Sequence, residues 1–376
     1  MRKLLSLTLL GAMALLGSLT AGAQVRSMLV GTTTEGSTSE GIYLCTFDEE
    51  TGVISTVSSV KTPNPTFVIV SPDADYVYSV NEYNDGRQAV SSFSLKDDTL
   101  TQLSTRSTDF GEISGGNPCN LLLVGNNLVS SNYSGGTVSV FPIGRGGRLD
   151  PPTQCYQYSE IVTRKVLWNQ KKSGVLSHMH CAVLSPDGKY VFVTNLGADC
   201  IHRFTIAEGE EPLVEDGVAF QYERRRQAGP RHMVFSKDGR YAYLLCELDD
   251  ILTVFKYNDG TLEELQTISA YDGKGHGSAD IHLSPDGNFL YTSHRLAGDG
   301  VAIFHVDKVT GKVRPMGYQP TGIHPRNFAI SPSGKWLLVA CRDSNVVEVY
   351  SRSSSSGQLK KEGEYEFGKP MCVQFF

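Results

Sequence analysis

A chain of 376 residues, 40% hydrophobic and 20% charged, is long for one packed core, so two domains or a repeat architecture is expected. Its formal net charge of −6, with no stripe of clustered Lys and Arg, excludes a nucleic-acid binder, because phosphate neutralisation needs such clusters. The 38 glycines and the supply of Tyr and Phe speak for many short strands joined by tight turns.

At the start, Arg2 and Lys3 precede an apolar run from Leu4 to Leu19, and Ala21-Gly22-Ala23 has the small-x-small form of a cleavage site. Residues 1–23 are therefore expected to be a signal peptide. Residues 24–376 are then one mature domain in the periplasm or beyond. The apolar run is short for a membrane span and lacks charge on its far side, so no span is expected in the mature chain. The eight cysteines are scattered, with no CxxC pair. Cys181, Cys246, Cys341 and Cys372 fall in or beside strand-like apolar runs, where Cys behaves as a small hydrophobe. No disulfide framework, metal site or cofactor is expected from them.

Internal similarity dominates the rest of the chain. PTFVIVSPDADYVYSVNE from Pro65, HMHCAVLSPDGKYVFVTN from His178, PRHMVFSKDGRYAYLLCE from Pro230, ADIHLSPDGNFLYTSHR from Ala279 and PRNFAISPSGKWLLVACR from Pro325 share one form. Each is a short apolar strand, a tight turn and an alternating aromatic or aliphatic strand. A degenerate copy, NPCNLLLVGNNLVSSNY, starts at Asn117. In the Ser-Pro-Asp-Gly turn, Pro presets φ, Asp caps and Gly tolerates positive φ. A third strand usually follows, ending as in VSVF, CIHRF, LTVF, VAIF or VEVY. The period, roughly 45–60 residues, matches four strands per unit. Six copies are complete. PMCVQFF from Pro370 is the first strand of a seventh, and SMLVGTTT and GIYLCTF near the start supply its missing partners. The expected fold is all-β, a seven-bladed β-propeller whose ring is closed by N- and C-terminal strands sharing one blade. Pro151 to Val175, with Trp168 and Lys171-Lys172, is an insertion before the His180 strand, read as an irregular outer strand in preference to a lid.

The repeat register separates scaffold from candidate chemistry. Residues just before strand one and just after strand two share one face of the disc, opposite the SPDG turns. Five residues before the turn Ser stand His180, Arg231 and Arg326, and in other blades Thr66, Ala279 and Met371. Eleven residues after it stand Glu82, Glu247, Arg295 and Arg342. A structural repeat needs none of these polar types. Arg231, Arg295 and Arg326 make a cationic pocket suited to carboxylate or phosphate, and His180 and Glu247 are the available proton-transfer groups. His232, His282 and His324 are placed as further substrate contacts, and His294 as a neighbour that orients or packs.

These same stretches, above all GPRHMVF and ADIHLSPDG, resemble the propeller-type lactonases, which include the bacterial 6-phosphogluconolactonases and the fungal carboxymuconate cyclase. VFVTN is shared more widely, with YVTN-repeat propellers. The resemblance spans Ser27 to Phe376 and implies an active-site set of one His, two Arg and one Glu, falling on His180, Arg231, Arg295 and Glu247. It implies a hydrolase that opens a small, anionic sugar lactone to the free acid, 6-phosphogluconolactonase-like, with no cofactor. In that mechanism His180 or Glu247 takes a proton from water, Arg231 and Arg295 stabilise the oxyanion, and Arg326 holds a phosphate. An export signal fits poorly with a cytosolic substrate, so a different lactone is open. The rival expectation is a non-catalytic exported propeller that binds acidic sugars or a protein partner. A central calcium held by Glu82, Asn132 and Asn195 is disfavoured by three nearby arginines.

Overall fold

The computed structural model describes residues 25–158, 177–209, 211–223, 227–271, 273 and 277–376. Within them, 28 strands form seven four-stranded antiparallel sheets arranged as a β-propeller. The described residues include no α-helix, only two short 3-10 turns, and so no helix long and apolar enough to cross a membrane.

Six blades run in chain order from inner to outer strand. Their inner strands are Val68–Val70, Pro118–Val124, Met179–Leu184, Pro230–Phe235, Ser278–Leu283 and Pro325–Ile330. The seventh blade closes the ring as the sequence implies. Pro370–Phe375 is its inner strand and pairs antiparallel with Val25–Thr32, followed by Gly41–Asp48 and Ile54–Lys61. Chain ends that zip into one blade leave no unpaired inner edge. Trp336 of the sixth blade donates its indole N–H to the Glu49 carbonyl at 2.8 Å, adding a tie across the closure.

Apolar residues on alternate positions of the strands meet between blades, so the core is a set of clusters, one per interface, rather than a single centre. Five of the seven interfaces also have a lock that depends on glycine. The aromatic residue opening strand two, Tyr76, Tyr190, Tyr241, Phe289 or Trp336, packs on a glycine in the outer hairpin of the next blade. A Cβ on Gly311 would stand 2.3 Å from Tyr241, and one on Gly147 would stand 2.1 Å from Tyr76. Both glycines have positive φ, so two constraints select the same residue.

One irregularity recurs and decides where the chemistry goes. In six blades the inner strand carries one residue more than strand two opposite it. The extra residue falls at or beside Cys119, His180, Arg231, Ala279, Arg326 and Met371. Such bulges turn a side chain out of the regular alternation. The next residue then reaches the following blade: the Asn120 side-chain oxygen accepts from the Ala182 N–H at 2.9 Å, and that of Asn327 from the Val373 N–H at 2.8 Å.

Gln154–Gln157, in the inserted segment, is the regular outer strand of the second blade. Trp168, Lys171 and Lys172 lie outside the described residues, as do residues 1–23. All eight cysteines are free thiols, and seven are buried.

Candidate active site

The bulge positions and the ends of strand two bring Arg231, Glu247 and Arg295 together from two adjacent blades. Arg231 is 1% exposed, and its Nε donates to Glu247 Oε2 at 2.9 Å. Arg295 Nη2 lies 2.8 Å from the other carboxylate oxygen. A second contact fixes each guanidinium: Arg231 donates to the Ala279 carbonyl, and Arg295 Nε to the Gly277 carbonyl at 3.2 Å. Burial alone would raise the Glu247 carboxyl, but Arg295, Arg231 and Arg326 outweigh it and hold the group below its ordinary range. Burial, with Arg231 and Arg326 close by, lowers Arg295 to about 9, which leaves it charged at neutral pH.

Arg326 differs from both. It is half-buried and makes no hydrogen bond or ion pair among the described residues, although its charge is felt at Glu247, Arg231 and His180. A cation left free beside two arginines that share one carboxylate is an opening for an anion.

His180 is buried in the same group. Burial, then Arg231, His232, Arg326 and Arg295, push it well below the usual histidine range, so it is neutral at pH 7. Its Nδ1 is buried without a hydrogen-bond partner among the described residues. Its ring stands edge-on to Tyr133 at 5.8 Å and to His232 at 5.2 Å between centroids. Tyr133 also stacks on His178 at 4.3 Å. Neither Tyr133 nor His178 stood out in the sequence. Both lie next to the repeat positions that did.

His232 and His282 converge on a carboxylate the sequence reading passed over, Asp280. His232 Nδ1 is 2.7 Å from one oxygen and His282 Nε2 2.9 Å from the other. His324 stands at the edge of the group, with Nε2 3.3 Å from Arg295 Nη1 and Nδ1 3.4 Å from Asp343. Burial, then Arg295 and Arg342, lower it to about 3. Arg342 turns to a two-pronged pair with Asp343. His294 bonds Ser278 and Thr292 inside its own blade. Asn132 and Asn195 spend their amides on Thr137, Ser139, Ser177 and His202 of their own blades, and Glu82 accepts from Thr66. Among the described residues, no group of three or more His, Cys, Asp or Glu has the arrangement of a metal site.

The family model for the lactonases with a seven-bladed β-propeller matches residues 27–375. The chain belongs to this lactonase family. A 6-phosphogluconolactonase of Formosa agariphila is 32% identical over 344 residues, covering 89% of this chain and 94% of that protein. Among solved structures, a candidate 6-phosphogluconolactonase of Bacteroides uniformis is 42% identical with a TM-score of 0.85. The periplasmic gluconolactonase of Pseudomonas aeruginosa is 32% identical with a TM-score of 0.83. Each alignment covers 94% of this lactonase family member and 99% of the solved chain.

Proposed function

We propose that the protein is an exported lactonase that uses water to open an anionic sugar lactone, of the 6-phosphogluconolactone kind, to the free acid. The observation that carries the reading is Arg326, without a side-chain partner among the described residues, beside two arginines that share the single Glu247 carboxylate and so keep a net positive charge. Arg326 is free to take the phosphate or carboxylate of a substrate. Arg231 and Arg295 are held in place before any substrate arrives, so they stabilise the oxyanion of the opening ester without rearranging.

Of the two proton acceptors expected from the sequence, Glu247 is committed to both guanidiniums. Proton transfer therefore falls to the uncharged histidines, of which His180 is the sequence candidate. The water oxygen adds to the lactone carbonyl carbon as its proton passes to the base. The ring C–O bond then breaks, and the leaving alkoxide takes the proton back. The leader-like residues 1–23 and the likeness to a periplasmic gluconolactonase support export.

The test is acid release by residues 24–376 from δ-gluconolactone and 6-phosphogluconolactone, against a protein-free blank for spontaneous opening. Rates above the blank that vanish in a His180→Ala/Glu247→Gln variant are expected. Rates equal to the blank on both substrates would overturn the reading in favour of a non-catalytic binder.

A further inference from the structure

Asp280 carries a charge that its structural task does not need. At the equivalent positions in two other blades, Asn120 and Asn327 each accept one backbone N–H from the following blade. Asp280 does this too, from the Phe328 N–H at 3.3 Å. An amide suffices for that bond, while a carboxylate 2% exposed incurs a large desolvation cost. The rest of its hydrogen bonding offsets that cost. One oxygen accepts from His232 Nδ1 at 2.7 Å and the Ile281 N–H at 2.9 Å. The other accepts from His282 Nε2 at 2.9 Å and Asn327 Nδ2 at 2.5 Å.

An ionised carboxylate only accepts, so His232 must carry its proton on Nδ1. Its Nε2 lone pair is then bare, with no hydrogen-bond partner among the described residues. The ring is 5.2 Å from that of His180 and next in sequence to Arg231, at the edge of the cationic cluster. The charged and titratable groups around it are Arg231 on its own strand, His180 on one side, and Asp280 and His282 on the other. His180 has no such carboxylate. Its buried Nδ1 has no acceptor among the described residues, and three arginines oppose a positive charge there.

On the lactonase reading above, we propose that His232 is the acid–base catalyst of ring opening and that Asp280 is its positioning residue. The proton of the attacking water goes to His232 Nε2 while the water oxygen bonds the carbonyl carbon. Asp280 stabilises the resulting imidazolium and fixes its tautomer. Collapse of the oxyanion breaks the ring C–O bond, and the Nε2 proton passes to the departing alkoxide, so water is the only co-reactant.

The experiment compares wild type with Asp280→Asn on whichever lactone the wild type turns over. The amide preserves the bond to the next blade, as at 120 and 327, so the variant is expected to fold. Its kcat is expected to fall at least ~100-fold with little change in KM. The acid limb of its kcat profile moves to lower pH, because the carboxylate no longer supports the imidazolium. An unchanged kcat and acid limb, with only a lower Tm, would reduce Asp280 to a tie between blades and overturn the proposal. A second measurement needs neither variant nor turnover: 15N-histidine NMR of the wild type at pH 7. His232 is expected with its proton on Nδ1, and a proton on Nε2 would overturn the proposal. A wild type inactive on every lactone removes the lactonase reading itself, and the proposal with it, which is distinct from an active wild type that is indifferent to Asp280.

Discussion

Replacing Glu247 by Gln tests the arginine pair most directly. The amide keeps the shape of the side chain but leaves Arg231 and Arg295, 1% and 5% exposed, without a counter-charge and beside a third cation, Arg326. Removing one partner of a buried ion pair costs about 3–5 kcal/mol. The Glu247 side chain is 17% exposed, so the low end, about 3 kcal/mol, applies. At roughly 2 °C per kcal/mol for a chain of this size, Tm should fall by about 6 °C at pH 7. The loss must also depend on pH with a definite sign. Glu247 is held below its ordinary pKa, so its stabilisation is fully present above the unfolded-state value, about 4.3. It is lost as pH falls through the lowered folded-state value. Calorimetric scans of wild type and Glu247→Gln from pH 7 down to pH 3 should therefore show a gap that narrows on acidification. An equal Tm at pH 7, or a gap that does not narrow between pH 7 and pH 3, would refute the electrostatic account of the cluster.

Arg326→Gln should leave Tm unchanged, since no partner is orphaned, and should lower kcat/KM for a phosphorylated or carboxylated lactone by ~10–100-fold, the loss of one charge-assisted contact. An equal loss on δ-gluconolactone would contradict that role. Gly311→Ala should destabilise by at least about 1–2 kcal/mol in denaturant melts, because it combines positive φ with a clash against Tyr241. A stability within error of wild type would remove the glycine–aromatic lock. Deleting 370–376 should abolish the cooperative melt, because it strips the inner strand from the closing blade and exposes the core around Met28, Val30 and Val349; a truncated protein with a sharp transition would mean that closure is dispensable.

The ring was legible in the sequence because a repeat writes its register several times over. Counting from the turn Ser located His180, Arg231, Arg326, Glu247 and Arg295 without any knowledge of their contacts. The same count could not tell which polar side chains converge. Arg342 occupies the same register position as Glu247 and Arg295, yet pairs with its own neighbour Asp343. Asp280 was missed for a different reason. It lies one residue beyond the inspected position, where strict alternation assigns a scaffold role. The clue was present all the same: Asn120, His232, Asp280 and Asn327 are polar at that same place in four of the inner strands. What turns both positions to use is the extra residue in the inner strand. That is a matter of backbone pairing with a distant strand, and no local propensity records it.

The extra residue also separates two kinds of selection. Side chains in the regular alternation answer to the neighbouring blade, and a change there alters packing on both sides. The side chain at the bulge stands outside that alternation, and its type varies from blade to blade. Six such places, with Thr66 as their counterpart in the remaining blade, lie on one fixed frame: Cys119, His180, Arg231, Ala279, Arg326 and Met371 hold chemically different side chains in the same backbone setting. One backbone frame can thus carry different sets of side chains at these positions while the blade-to-blade packing stays the same.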